Sequence, residues 1–240
     1  MHSPFVFDFI LNVLNNKNKY QPPQEIEQLR KELLSDKRRI EIKEMGAGSR
    51  TSSSNERVVR QIAKSALKSK RLAQVLYRLV RHYQPKTVVE LGTSLGITTS
   101  YLSKANPSGS IITIEGNEPV ASIAKENFRK LSITNVQLLQ GNFDTVLPLA
   151  IDQLSSIDLA YIDGNHRRQP TMDYFHQFLP KLHHQTILVF DDIHWSEEME
   201  QAWKEIKTHP SVQYTIDIFF LGFVFFREEF KVKQDFSIRF

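Results

Sequence analysis

The residues best suited to chemistry fall in five short runs, each closing an apolar segment. The first is Glu90-Leu91-Gly92-Thr93-Ser94-Leu95-Gly96, a carboxylate two positions ahead of a glycine turn. Gly92 can take backbone angles closed to other residues, and Gly96 lets the following helix pack closely. The small side chains of Thr93 and Ser94 leave the main chain open to a ligand. A carboxylate beside such a turn suits a cation and would repel a pyrophosphate. The run also lacks the G-x-G-x-x-G spacing that cradles a dinucleotide.

The second run, Ile112-Thr113-Ile114-Glu115-Gly116-Asn117, places an acid 23 residues beyond Gly92. An acidic residue ending the second strand of an α/β unit takes the two hydroxyls of a ribose, which assigns Glu115, with Gly116 beside it, to a nucleoside. The third run, Gln140-Gly141-Asn142-Phe143, offers an amide edge and an aromatic face; Asn142 is equally suited to capping a helix. The last two runs are Asp163-Gly164-Asn165-His166 and Asp191-Asp192-Ile193-His194-Trp195. Neighbouring strands of a parallel sheet end side by side, so Asp163, Asp191 and Asp192 are expected to converge. Three clustered carboxylates repel unless protonated or bridged by a cation. Hard oxygen ligands favour Mg2+, with calcium or manganese as substitutes. His166 can accept a proton near neutral pH. The plainer alternative makes Asp191 a helix cap and His166 a loop residue.

The elements that must position these runs are legible from periodicity. Thr87–Leu91, Ser110–Glu115, Val136–Gln140, Ile157–Asp163 and Thr186–Asp191 read as strands, with helical patterns near 96–104, 118–131, 143–151, 167–182 and 196–208. Apolar strands alternating with helices imply a parallel sheet covered on both faces. Tyr214–Phe220 and Phe223–Arg227 read as a closing antiparallel hairpin joined at Leu221-Gly222. The expected fold is α/β: a doubly wound, mainly parallel, seven-stranded sheet with a C-terminal antiparallel hairpin, occupying residues 85–240. Residues 1–84 read as an N-terminal helical cap segment. In it, Pro22-Pro23 starts a helix to about Leu34, Gly46–Arg50 and Thr51–Ser54 form a loop, and helical spacing resumes from Glu56 to Tyr83. The basic stretch Lys64 to Arg71 reads as a solvated face or helix junction, and His183-His184 as a helix end set against its dipole.

Composition narrows the function classes. The 240 residues contain no cysteine, which excludes disulfides, thiolate metal sites and thiol nucleophiles. The net charge of +4 is small, and no interleaving of aromatic with basic residues points to nucleic acid. The apolar N-terminal run from Pro4 to Leu11 contains Asp8 and lacks a basic leader, so it reads as a packing helix. No run reaches the length of a membrane span. The reading is of a cytoplasmic protein that does not enter a membrane, compatible with a homodimer.

Glu-Leu-Gly-Thr-Ser-Leu-Gly-Ile-Thr-Thr from Glu90 to Thr99 resembles the first motif of the class I S-adenosylmethionine (SAM)-dependent methyltransferases. It is most similar to metal-dependent O-methyltransferases of the catechol and caffeoyl-CoA types. Ser94 replaces the middle glycine of the commonest form. The later Asp-Gly-x-His and Asp-Asp runs also resemble macrolide-sugar O-methyltransferases. The resemblance spans about residues 86–227. It implies that Glu90, Gly92, Thr93, Ser94, Gly96, Glu115, Gly116, Asn142, Phe143 and Asp163 hold SAM, with Asn142 and Phe143 flanking adenine. It further implies that Asp163, Asp191 and Asp192 hold magnesium. His166 stands where catechol-type relatives carry a catalytic lysine, so it is the expected base. A small hydroxylated acceptor follows; RNA or protein methylation, or SAM binding without catalysis, are the rival functions.

Overall fold

The structure is a computed structural model that describes residues 3–16, 21–42 and 56–240. The loop expected at Gly46–Arg50 and Thr51–Ser54 lies outside the described residues. The chain divides into two compact units. One comprises Met1–Pro85 with Thr93–Asn142, the other Lys86–Gly92 with Phe143–Phe240.

The first unit opens with α1 (Pro4–Phe9), continued by a π-helical turn Ile10–Leu14, then α2 (Gln24–Ser35). Strands β1 (Arg39–Glu41) and β2 (Glu56–Val58) pair antiparallel, followed by α3 (Val59–Ala66) and α4 (Lys70–Tyr83). The purely helical expectation for residues 1–84 is therefore corrected by this small hairpin. Three-residue strands are too short to show a period. The basic stretch is a helix junction: α3 stops at Ala66 and Ser69 caps α4 by accepting the Leu72 N–H. Buried Arg30 of α2 donates to the Lys68 carbonyl there. The unit's remaining elements are α5 (Ile97–Ala105), β4 (Ser110–Glu115), α6 (Glu118–Lys130) and β5 (Val136–Gln140). β4 and β5 pair in parallel, and both α2 and α4 pack on α5.

Arg78 of α4 is 2% exposed. Its guanidinium closes the π-helical turn by donating to the Val13 and Leu14 carbonyls at 2.5 and 3.0 Å. Methionine at this position would fill similar space and leave both buried acceptors unmet. Arg78→Met is expected to lower stability by about 1–3 kcal/mol, the cost of unsatisfied buried groups. Denaturant unfolding at constant slope checks it, and an unchanged midpoint would contradict the tie.

The second unit holds β3 (Thr87–Leu91), placed in sequence between α4 and α5. It continues with α7 (Phe143–Asp152), β6 (Leu159–Ile162), α8 (Arg168–Phe178) with a 3-10 turn Leu179–Lys181, β7 (Ile187–Asp191) and α9 (Glu197–Thr208). It ends with β8 (Tyr214–Asp217), β9 (Leu221–Phe225) and β10 (Gln234–Ser237). β3, β6 and β7 run parallel; β9 is antiparallel to both β7 and β8. Within the second unit the strand order is β10-β8-β9-β7-β6-β3, and in the first β4 lies beside β5. The α/β fold read from the sequence is thus present, its seven strands joined by β10, which lies parallel to β8 at the edge.

The hairpin connection differs from the expected one. Leu221 and Gly222 belong to β9, opposite Asp191 and Phe190, and the chain turns at Ile218-Phe219-Phe220. Gly222 is needed inside the strand because a Cβ there would lie 2.7 Å from the Trp203 ring. His183 also departs from its reading. Its Nε2 meets Asp158 Oδ1 at 2.8 Å, while Asp158 Oδ2 accepts the Lys86 and Thr87 N–H groups. That cluster ties the starting ends of β3, β6 and β7, opposite to the ends that carry Asp163 and Asp191.

Candidate functional site

In the first unit, the site residues gather around the end of β4. Ser94 takes a left-handed φ of 48°, and its N–H donates to Glu115 Oε2 at 2.8 Å. Asn117 N–H donates to Glu115 Oε1 at 2.9 Å. These amides, with that of Gly116, aim one carboxylate. Burial pushes the Glu115 carboxyl above its ordinary range, while these amide hydrogen bonds pull it back. Thr93 is buried, its hydroxyl 2.6 Å from that of Thr113. Gly96 has φ +79°, and a Cβ there would stand 2.7 Å from the Phe128 ring. It starts α5 where no side chain fits. A Cβ at Gly116 would meet the Gly141 carbonyl oxygen at 3.9 Å, an ordinary contact. Asn142 is exposed at the end of the unit.

In the second unit, the glycine turn meets the end of β6. Gly92 has φ +98°, and a Cβ would lie 2.0 Å from the Asp163 carbonyl oxygen. Asp163 N–H donates to the Leu91 carbonyl at 2.9 Å. β3, β6 and β7 are aligned with Glu90 beside Tyr161 and Ile162 beside Phe190. Asp163 and Asp191 thus follow at adjacent strand ends, as expected. Glu90 and Asp191 are buried. The Tyr161 hydroxyl donates to Asp163 Oδ2 at 3.0 Å. Burial, then the Asp163, Asp191 and Glu90 carboxylates, holds the Tyr161 phenol well above its ordinary range. His166 Nε2 stands 3.5 Å from Asp163 Oδ1. Phe143 packs against Gly164, where a Cβ would be 2.5 Å from its ring, and meets Tyr174 edge-on.

The expected magnesium group at Asp163, Asp191 and Asp192 is not shown by the structure. Among the described residues, no group of three His, Cys, Asp or Glu side chains is placed to hold a metal ion. Asp191 is still within β7 and buried, whereas Asp192 follows the strand with φ 51° and donates its N–H to the Phe220 carbonyl at 2.7 Å. One oxygen of Asp163 is already engaged by Tyr161.

Sequence reasoning missed two residues here. Tyr161 sits in an apolar strand and reads as core. Asp217 ends β8 and organises the hairpin tip. It accepts His194 Nε2 at 2.8 Å, Trp203 Nε1 at 3.2 Å and the Phe219 N–H at 2.8 Å. The Phe219 ring stacks on His194, beside exposed Phe220. Trp195, on the loop that follows β7, is also exposed. Only the type of Asp217, an acid before a turn, could have signalled it.

A methyltransferase-domain family model matches residues 89–193. Catechol O-methyltransferase of Niastella koreensis is 28% identical over 141 residues, which are 58% of this chain and 62% of that protein. The transmembrane O-methyltransferase homolog of Rattus norvegicus is 34% identical over 94 residues, 37% of this chain and 36% of that protein. The chain therefore spans less than two thirds of these curated relatives. A Podospora anserina methyltransferase solved with S-adenosylhomocysteine (SAH) bound superposes with a TM-score of 0.67 at 12% identity, covering 95% of this chain and 98% of that one. Residues 89–193 are thus similar to the methyltransferase-domain family, and the chain shares the fold of a solved SAH-bound methyltransferase.

Proposed function

We propose that this chain transfers a methyl group from SAM to a hydroxyl oxygen of a small molecule. The observation that carries the reading is the Glu115 carboxylate, aimed by the Ser94 and Asn117 amides at the end of β4. Two fixed acceptor oxygens suit a pair of adjacent ribose hydroxyls. When bound, SAM supplies a methyl carbon on a positive sulfur. Glu115 holds the ribose, and the open backbone at Gly92, Thr93, Ser94, Gly96 and Gly116 admits the ligand closely. Glu90 and Asp163 contribute negative charge suited to its cationic part, and Asn142 and Phe143 take the adenine. His166 accepts the proton of the acceptor hydroxyl as the new oxygen–carbon bond forms and the carbon–sulfur bond breaks. Alignment of these groups supplies much of the rate. Asp163, Asp191 and Asp192 are the residues that would hold a divalent cation, which would lower the pKa of the acceptor hydroxyl.

A small hydroxylated acceptor is supported by the catechol O-methyltransferase likeness and by the exposed rings of Trp195, Phe219 and Phe220. No helix among the described residues is long and apolar enough to cross a membrane. We place the protein in the cytoplasm and assign residues 1–84 to a cap and 85–240 to the methyltransferase domain, with a homodimer as a state to be measured. Calorimetry with SAH against NAD tests the cofactor, and a methyl-transfer screen over hydroxylated compounds and RNA tests the acceptor.

Glu115→Ala is expected to weaken SAH binding by about 1–3 kcal/mol, the range for hydrogen bonds to a charged group. The pH dependence has a definite sign. The ionised carboxylate accepts from ribose hydroxyls, and burial raises the pH at which it takes a proton. SAH affinity should therefore fall on acidification, beginning above the ordinary glutamate range. Glu115→Gln should flatten that fall. An acid profile unchanged by the substitution would remove Glu115 from the ribose.

A further inference from the structure

We propose that Asn127 is a positioning residue whose side-chain amide holds the turn at residues 93–96 in the shape that points the Ser94 N–H at Glu115. The proposal rests on the reading of Glu115 as the ribose acceptor. Asn127 lies on α6, far from the glycine turn in sequence, and is completely buried. Its Nδ2 donates to the Leu95 carbonyl at 2.9 Å. Its Oδ1 is buried with no hydrogen-bond partner among the described residues. A buried amide with an unmet acceptor costs stability. What the side chain contributes in return is a fixed Leu95 carbonyl. Ala124 and Phe128 of the same helix close on Gly96, where a Cβ would stand 3.2 and 2.7 Å from them.

The turn needs such a hold. The Gly96 N–H closes it on the Thr93 carbonyl at 2.8 Å, and the Thr93 N–H donates to the Ile114 carbonyl at 3.2 Å. Ser94 lies between them with φ 48°. A turn with positive φ at its second residue favours glycine there. A serine in that conformation persists only where the surroundings over-determine it. Here hydrogen bonds grip both sides of Ser94. Its own N–H donates to Glu115 Oε2 at 2.8 Å, and the next carbonyl along, that of Leu95, accepts from Asn127. Without the Asn127 amide the peptide after Leu95 is free to rotate. Ser94 then relaxes toward negative φ, and its N–H swings off the carboxylate. Burial raises the Glu115 carboxyl, and the amides of Asn117, Ser94 and Gly116 lower it. Loss of the Ser94 amide therefore moves it further up.

Asn127→Leu fills similar space and removes the donor together with the unpartnered Oδ1. It is expected to weaken SAH binding roughly tenfold by calorimetry, the order of one hydrogen bond to a charged group. The same substitution made in Ser94→Gly protein should cost little relative to that parent, because glycine holds a positive φ unaided. An equal loss in both backgrounds would reduce Asn127 to packing and overturn the proposal, as would wild-type affinity in Asn127→Leu. A second readout needs no ligand. In protein carrying 13C-labelled glutamate carboxyls, the Glu115 resonance, assigned with Glu115→Gln, should take up its proton at higher pH in Asn127→Leu than in wild type. An unchanged midpoint would overturn the proposal. If Asn127→Leu fails to fold, Asn127→Ala, which keeps a good helix former in α6, is read in the same way. In wild type itself, a Ser94 amide that exchanges with solvent as fast as an exposed loop amide would overturn it without any variant. Failure of the methyltransferase reading would appear separately, as wild-type protein that gives no heat with SAH while the Glu115 midpoint still moves in Asn127→Leu.

Discussion

Gly92→Val is expected to abolish SAH binding and to destabilise the second unit, with the N-terminal helices still formed. Two independent costs fall on this position. The backbone φ of +98° lies outside the range a β-branched residue tolerates. A Cβ built there would also stand 2.0 Å from the Asp163 carbonyl oxygen, a backbone atom that cannot swing aside. Overpacking costs roughly 1–3 kcal/mol, and the backbone strain about 1–3 kcal/mol more. To relieve the clash, the end of β3 would have to separate from the end of β6, which breaks the hydrogen bond from Asp163 N–H to Leu91. Gly92→Ala meets the same carbonyl and should show a weaker form of the same loss. Calorimetry with SAH and circular dichroism of the variants check both parts. Wild-type affinity in a folded Gly92→Val protein would remove the glycine turn from the cofactor site.

The strands that position this turn were legible because each is an apolar run ended by a charged or small residue. β3, β4, β5 and β7 begin and end within one residue of their expected bounds. What escaped has physical reasons. β10 alternates half-buried with exposed residues and carries only one large apolar side chain, Phe236. It is an edge strand held by backbone pairing with β8, and backbone pairing leaves little trace in residue type. The hairpin turn escaped because Ile218-Phe219-Phe220 looks like strand, and Phe219 takes a φ of 75° that no residue code announces. Asp217 imposes that conformation through the Phe219 N–H. At the candidate site, Asp163 and Asp191 could be paired from strand order alone. The backbone of Asp192, with its left-handed φ and its hydrogen bond to Phe220, could not be read from residue type. The role of Tyr161 was hidden because a tyrosine among Leu159, Ala160 and Ile162 is indistinguishable from core packing.

His166→Ala is expected to slow single-turnover methyl transfer by ~10²–10⁴-fold, the range for loss of a general base, with SAH affinity unchanged. The split follows from where the residue sits. His166 faces Asp163 Oδ1 from a loop held by Asn165 and Tyr174, and the ribose is assigned to Glu115 instead. Removing the imidazole takes away the proton acceptor while Gly92, Asp163 and the backbone around them keep their packing. The loss should shrink at high pH with an acidic phenol such as catechol as acceptor, because an acceptor that ionises by itself no longer needs a base. With an aliphatic alcohol the loss should persist across the same range. A rate equal to wild type at neutral pH would reject His166 as base. His194 would then be the next to substitute, since Asp217 Oδ2 holds its Nε2 at 2.8 Å in a tighter pair than Asp163 makes with His166.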